Sequence, residues 1–255
     1  MGVRAVPVLP GRNKVLAASS IFVCSSVLLL LEFTSLHCQW PFGYSYSFGN
    51  EVDALGVVSD LGWFFGFALI IDWLVFSFFP VYGASRRALI GATLKLTASL
   101  FFCVGPFSDL AGYLHSFTGT PLEHYGGVPW SNFVGVLFFH VGNLIDALCS
   151  GKAIRWRAFF SLQNVPPLAH VVYMAATWLL LVASTIDYIG TEEPWGPGVD
   201  VGGADKFVPY GQIAGASLLL VGSLMFVCWS YALSGLKLQP EPLMAVDPLI
   251  ATETQ

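Results

Sequence analysis

The stretch PYGQIAGASLLLVGSLMFVCWSYALSG (209–235) contains no Asp, Glu, Lys, Arg or His. It is longer than the roughly 20 apolar residues that cross a hydrocarbon core of about 30 Å as an α-helix. A buried core helix of a soluble domain has no need of such length without a charge, so this segment reads as a membrane span. Working outward from it, comparable stretches occur at 15–33, 55–79, 88–107, 129–149 and 168–189. Pro129, Pro167 and Pro209 fall in first helical turns, where the missing N–H is tolerated. Pro80 and Pro106 are expected to stop the second and third helices. The expected fold is an all-α integral membrane six-helix bundle.

Composition agrees with that reading. Of 255 residues, 55 % are hydrophobic and 11 % charged, against about 25 % charged in soluble domains. The mean hydropathy is +0.69, which makes a disordered chain and a water-soluble globule both poor fits. A net charge of −5 argues against nucleic acid as a partner, because phosphate affinity needs a basic surface. The bilayer is the expected partner, and other membrane proteins or further copies of this chain remain open.

Lys and Arg set the expected orientation. Arg4, Arg12 and Lys14 precede the first span, Arg86 and Arg87 follow the second, and Lys152, Arg155 and Arg157 follow the fourth. Lys237 lies after the last span, while the alternate loops contain Lys206 alone. By the positive-inside rule both termini are expected to be cytoplasmic, with the compartment left open. Trp40, Tyr125, Trp130, Trp195 and Tyr210 would mark the outer interface, and Trp73, Tyr82, Trp156, Trp229 and Tyr231 the inner one. The apolar run Val15–Leu31 exceeds a signal-peptide h-region and no small-x-small cleavage site follows, so a first span is expected. Cys24, Cys103, Cys149 and Cys228 fall in or beside spans, which leaves no disulfide framework.

Small residues recur seven apart within the spans: Ala18 and Ser25, Gly91 and Ala98, Gly135 and Gly142, Ala176 and Ala183, Gly215 and Gly222. Seven residues return to nearly the same helix face. A small-residue face lets backbones approach closely in lipid. Gly62 with Gly66 and Gly211 with Gly215 give the tighter spacing of four. The second helix is read as departing from the seven-residue pattern and is aligned instead with the fourth through Ile71-Asp72-Trp73-Leu74 and Ile145-Asp146-Ala147-Leu148. Three tandem helical hairpins are therefore expected at 15–79, 88–149 and 168–235, parallel in topology. They are joined by basic inner loops 80–87 and 150–167, and flanked by an N-terminal segment 1–14 and a mobile tail 236–255.

Within two of these helices the phrases Gly135-Val-Leu-Phe-Phe-His-Val-Gly-Asn-Leu and Gly215-Ala-Ser-Leu-Leu-Leu-Val-Gly-Ser-Leu-Met-Phe resemble the Gly-Ser signature of the YrhK-like membrane domain family. The likeness covers the six spans but not the loops or tails, and Asn143 stands where that signature has Ser. It implies an integral membrane protein built of paired hydrophobic helices, and carries no catalytic residues.

Ionisable groups inside a bilayer need a partner or water. Asp72 and Lys95 each lie seven residues from the same membrane boundary on consecutive helices, so they are depth-matched. Asp146 and His170 repeat the arrangement on the fourth and fifth. Two interhelical bridges are favoured, with Asp72→Asn expected to strip Lys95 of its counter-ion; the functional alternative is a proton or cation pathway. His140, in mid-span beside Asn143, reads as a hydrogen-bonded packing residue rather than a haem ligand. Asp60 is expected to face outside water or to cap Ser131 and Asn132.

The acidic outer loops, including Glu51, Asp53, Asp109, Glu123, Glu192, Glu193, Asp200 and Asp205, read as a solvated face. His115 and His124 lack the ligand spacing of a zinc site. No His-Glu-x-x-His, P-loop, Gly-x-Ser-x-Gly or Cys-x-x-Cys motif occurs. No cofactor, no metal and no enzymatic activity are therefore expected. The expected role is a membrane scaffold or accessory component, and the alternative a small-solute, proton or cation transporter or channel.

Overall fold

The computed structural model describes residues 10–38, 49–116, 128–151, 165–190 and 201–235. The loop residues Trp40, Glu123, His124, Tyr125, Lys152, Arg155, Trp156, Arg157, Glu192, Glu193, Trp195 and Asp200, and the tail from 236 onward, lie outside them, as do the side chains of Glu51, Asp53, Asp109 and His115. Six long helices hold most of the described chain: α1 (Arg12–Cys38), α2 (Gly49–Trp73), α3 (Arg86–Ser116), α4 (Val128–Gly151), α5 (Val165–Gly190) and α6 (Phe207–Gly235). Each contains a segment long and apolar enough to cross a membrane, and no strand occurs among the described residues. The chain is a multi-pass membrane protein.

Two prolines act differently from expectation. Pro80 does not stop the second span: α2 widens into a π-helical turn at Leu74–Phe78, and helix resumes over Phe79–Tyr82. The Phe79 N–H reaches back to Leu74 O, and Gly83, at φ 90°, closes the turn with its N–H on Phe79 O at 2.9 Å. A proline ring clashes with the carbonyl four residues earlier, and the wider turn relieves that contact. Pro106 does not end α3 either; the helix continues to Ser116. In lipid an interrupted backbone ladder is costly, so one lost hydrogen bond is a smaller defect than leaving helix altogether.

Each helix packs on its neighbours in sequence, and α6 returns to α1, so the six close into a ring. Contact is most extensive for α1 with α2, α3 with α4, and α5 with α6. Neighbours run antiparallel. Gly11 before α1 lies against Ser77, while Glu32 near the other end lies against Gly56. Gly91 meets Asp146 and Phe102 meets Gly135; Tyr173 meets Gly222 and Ala183 meets Gly211. One end of the bundle thus gathers Arg12, Lys14, Arg86 and Arg87, and is called the basic end below.

All six helices bury residues in one spacing: an adjacent pair, a residue four after the first, and a second pair seven and eight after it. These are 18, 19, 22, 25 and 26 in α1; 59, 60, 63, 66 and 67 in α2; 91, 92, 95, 98 and 99 in α3; 135, 136, 139, 142 and 143 in α4; 176, 177, 180, 183 and 184 in α5; and 215, 216, 219, 222 and 223 in α6. The second helix therefore shares the pattern after all, with Ser59 and Gly66 as its small pair. In this register Asp146 corresponds to Ile70 and not to Asp72, so the alignment through the two Ile-Asp pairs is displaced by two residues.

The central position of the spacing holds Phe22, Trp63, Phe139, Leu180 and Leu219, and in α3 Lys95. Trp63 stacks on Phe22 at 5.0 Å, and meets Phe139 at 5.6 Å and Tyr173 at 6.5 Å edge-on. It thereby bridges α1, α4 and α5 through the middle of the ring, which is filled with side chains. Trp63→Ala is expected to cost about 3–5 kcal/mol. Thermal unfolding in detergent should show a large drop in midpoint, whereas Phe76→Ala, at a residue 73 % exposed on the outer surface, should leave it nearly unchanged.

Candidate functional site

Polar groups concentrate at the basic end. Lys95 of α3 forms an ion pair with Asp146 of α4, and His170 of α5 places its Nδ1 3.9 Å from the same carboxylate oxygen. The three side chains are 9 %, 16 % and 21 % exposed, so all are largely withdrawn from the surface. Asp72 does not pair with Lys95. Its partner is Lys14 of α1, in an ion pair whose side chains are 39 % and 40 % exposed. Depth matching placed Asp72 and Lys95 level, but partner choice also depends on which way each helix face points. Lys95 sits in the buried spacing of α3, and Asp72 lies outside that of α2.

Glycines shape the Lys95–Asp146 pair. A Cβ at Gly142 would stand 2.8 Å from Lys95 Cγ and 3.0 Å from Gly91 O; one at Gly91 would stand 2.7 Å from Asp146 Oδ1. The lysine stem therefore runs along α4 from the level of Gly142 to Asp146, one helical turn or about 6 Å. This brings the ammonium closer to the membrane boundary than its own backbone, as snorkelling cations do. On the way its Nζ lies 5.6 Å from the centroid of the Phe67 ring, within cation–π range.

The remaining packing glycines serve the same helix pairs. Gly62 faces Ser25 and Gly66 faces Phe22; Gly135 faces Phe102; Gly211, Gly215 and Gly222 face Ala183, Leu180 and Tyr173. Each of these glycines and of Gly91 and Gly142 therefore lies close to a neighbouring helix of this chain, across the α1 and α2, α3 and α4, or α5 and α6 contact.

His140 lies in mid-span, with Nδ1 3.0 Å from Thr177 Oγ1 and its ring against Trp178 at 5.9 Å. Asn143 is 1 % exposed, and its Nδ2 has no hydrogen-bond partner; the same is true of His170 Nδ1 and Ser230 Oγ. Asp60 does not face outside water. It is buried in the bundle, near enough to Cys103 to interact electrostatically, because it occupies the second position of the buried spacing in α2.

Several polar contacts were not anticipated from sequence. Tyr173 Oη lies 2.7 Å from Ser223 Oγ, which lies 3.1 Å from Ser26 Oγ, a chain joining α5, α6 and α1. At the opposite end His37 Nε2 is 2.5 Å from Gln212 Oε1. The signals were Tyr173 and Gln212 within otherwise apolar helices and His37 at the end of the first, but pairing them requires the ring order. Many buried hydroxyls also bond back to their own helix, as Ser19, Ser26, Ser99, Thr177 and Ser223 do to the carbonyl four residues earlier. That satisfies them locally and makes them small packing residues.

Among the described residues no group of three or more His, Cys, Asp or Glu is placed to hold a metal ion. No family model, no curated protein and no solved structure matches the chain. The site's chemistry therefore rests on its own geometry.

The two ion pairs should respond differently to neutralisation. Asp146→Asn leaves Lys95 buried without its counter-ion, a loss of about 3–5 kcal/mol for pairs of this kind. Asp72→Asn breaks a pair that water or headgroups reach, and should cost about 1 kcal/mol or less. Detergent melting curves of the two variants should separate clearly; equal losses would contradict the observed pairing.

Proposed function

We propose that this chain is a non-enzymatic membrane scaffold or accessory component made of three tandem two-helix hairpins, with both termini cytoplasmic. The observation that carries this reading is Trp63, whose contacts with Phe22, Phe139 and Tyr173 fill the centre of the ring. A solute path along the bundle axis would have to displace that aromatic layer. The shared burial spacing and the pairing of every packing glycine within one hairpin support the repeat. The resemblance to YrhK-like membrane domains belongs to the same proposal.

Because the small-residue faces are consumed internally, partner proteins or further copies of the chain would meet the large apolar side chains of the outer surface. Phe65, Leu148 and Trp178 are among the most exposed of these, at 56 %, 66 % and 56 %. The same side chains also suit lipid, so the scaffold requires no surface foreign to a bilayer.

A second reading, a proton or cation pathway, is favoured by one specific observation: the Lys95–Asp146–His170 cluster at membrane depth. Default expectation assigns such groups to function. Single cysteines in a background free of other cysteines distinguish the readings. In sealed vesicles, a membrane-impermeant thiol reagent should modify Asp72→Cys and leave Asn143→Cys protected. Modification of Asn143→Cys would show an aqueous route past the cluster and favour transport over scaffolding.

A further inference from the structure

The Lys95–Asp146 pair accounts for one positive and one negative charge, yet the cluster around it is not hydrogen-bonded to completion. His170 Nδ1 is buried, has no hydrogen-bond partner, and lies 3.9 Å from Asp146 Oδ2, about 1 Å beyond a charge-assisted hydrogen bond. Buried ring nitrogens are rarely left in that state without a reason. One turn deeper on α4, Asn143 Nδ2 also has no hydrogen-bond partner, in a residue 1 % exposed. Two orphaned polar groups therefore flank one carboxylate.

The described residues around the cluster are these. From α3 the cluster is faced by Lys95, and from α4 by Asp146 and Asn143. From α6, Phe226 packs edge-on against the His170 ring at 5.1 Å, and from α2, Phe67 lies beneath the Lys95 ammonium. The other charges described at this end, Lys14 with Asp72 and the guanidinium groups of Arg12, Arg86 and Arg87, sit on α1, α2 and the start of α3, with Lys14 and Asp72 occupied by each other. Toward mid-membrane the Tyr173 ring stacks on Phe226 at 5.7 Å, and Trp63 lies beyond Tyr173.

We propose that His170 and Asp146 form a proton-binding site reached from the basic end of the bundle. A hydronium ion on that side gives its proton to the lone pair of His170 Nδ1: the N–H bond forms, one O–H bond of hydronium breaks, and water leaves. The imidazolium then donates to Asp146 Oδ2, in competition with Lys95. The three side chains Lys95, Asp146 and His170 together pass from net zero to one positive charge, and Asp146 comes to tie α4 to α5 as well as to α3. The aromatic layer above it keeps the site one-sided, so it binds a proton without passing it on. This requires neither a protein partner nor a through-path, and its test is separate from the thiol-accessibility experiment.

The test is histidine nitrogen NMR on the full chain in vesicles, with the His170 signal assigned by its loss in His170→Gln. On acidification the signal should move from neutral imidazole to imidazolium. Because Asp146→Asn alone strands Lys95, the comparison is made without the lysine, between a variant that keeps the Asp146 carboxylate beside His170 and one that removes it. Lys95→Met, which removes the competing Lys95 ammonium, should raise the proton affinity of His170; Lys95→Met with Asp146→Asn should lower it, relative to Lys95→Met, by about tenfold or more, one unit in titration midpoint. Acidifying one vesicle face at a time should produce the response from the basic end alone. A His170 that stays neutral while the protein remains folded, equal midpoints in the two variants, or an equal response from either face would each overturn the proposal.

Discussion

Helices in a bilayer gain nothing by hiding apolar side chains from lipid tails, which are equally apolar. Their cohesion depends on van der Waals contact, and so on how closely two backbones can approach. In this chain that constraint is met at glycines. Gly142 lies so near Gly91 that an added Cβ would stand 3.0 Å from its carbonyl oxygen, and Gly215 relates similarly to Ala176 O at 3.1 Å. The ring order, the antiparallel pairs and the position of each polar side chain follow from where those approaches occur. A large residue there would separate the helices and dissolve the contacts on both sides.

Close approach creates an interior with room for only a few large side chains, and the shared burial spacing distributes them. Small residues occupy most of the pair positions, and one bulky residue occupies the centre in five helices. Trp63, Phe22, Phe139 and Tyr173 are thereby confined to a layer between the polar groups of the two ends. The buried hydroxyls add little cost, because several return their hydrogen bonds to their own helix and others meet in the Ser26–Ser223–Tyr173 chain.

Six membrane helices and the seven-residue spacing were legible because length, hydropathy and small-residue repetition are properties of a single helix. Span ends came within three residues of the observed helices for α4, α5 and α6, while α1 runs on to Cys38 and α2 begins at Gly49, beyond the expected 33 and 55; at Pro80 and Pro106 a backbone constraint was read as a stop and the bilayer's demand for hydrogen-bonded backbone outweighed it. The ion pairs were legible as residues and illegible as partners. Counting from span ends gives depth, but Asp72 and Asp146 differ by two positions in the burial register, about 200° around a helix. That difference puts one carboxylate beside Lys14 near the surface and the other beside Lys95 inside. The place of α2 in the common pattern was hidden for a related reason. Its small pair is Ser59 with Gly66, and its intervening residues include Asp60 and Trp63, which do not look like a packing face until their burial is known.

Lys95 is the exception that shows how specific the arrangement of α3 and α4 is. It occupies a central position that carries an aromatic or leucine side chain in every other helix, so it contributes a buried charge where an apolar group would pack without penalty. A buried ion pair rarely adds net stability over such a group, but a polar residue among apolar neighbours discriminates between registers. Sliding α3 by one turn against α4 would bring the Lys95 stem beside Phe138 and Phe139 or beyond Asp146, and in either case carry Asp146 away from the gap at Gly91. The correct register alone combines a glycine opposite the stem, a carboxylate one turn nearer the boundary and a glycine to accommodate that carboxylate. Three residue choices on two helices therefore have to agree, which makes the Lys95–Asp146 pair a determinant of how these helices align as well as a site of charge.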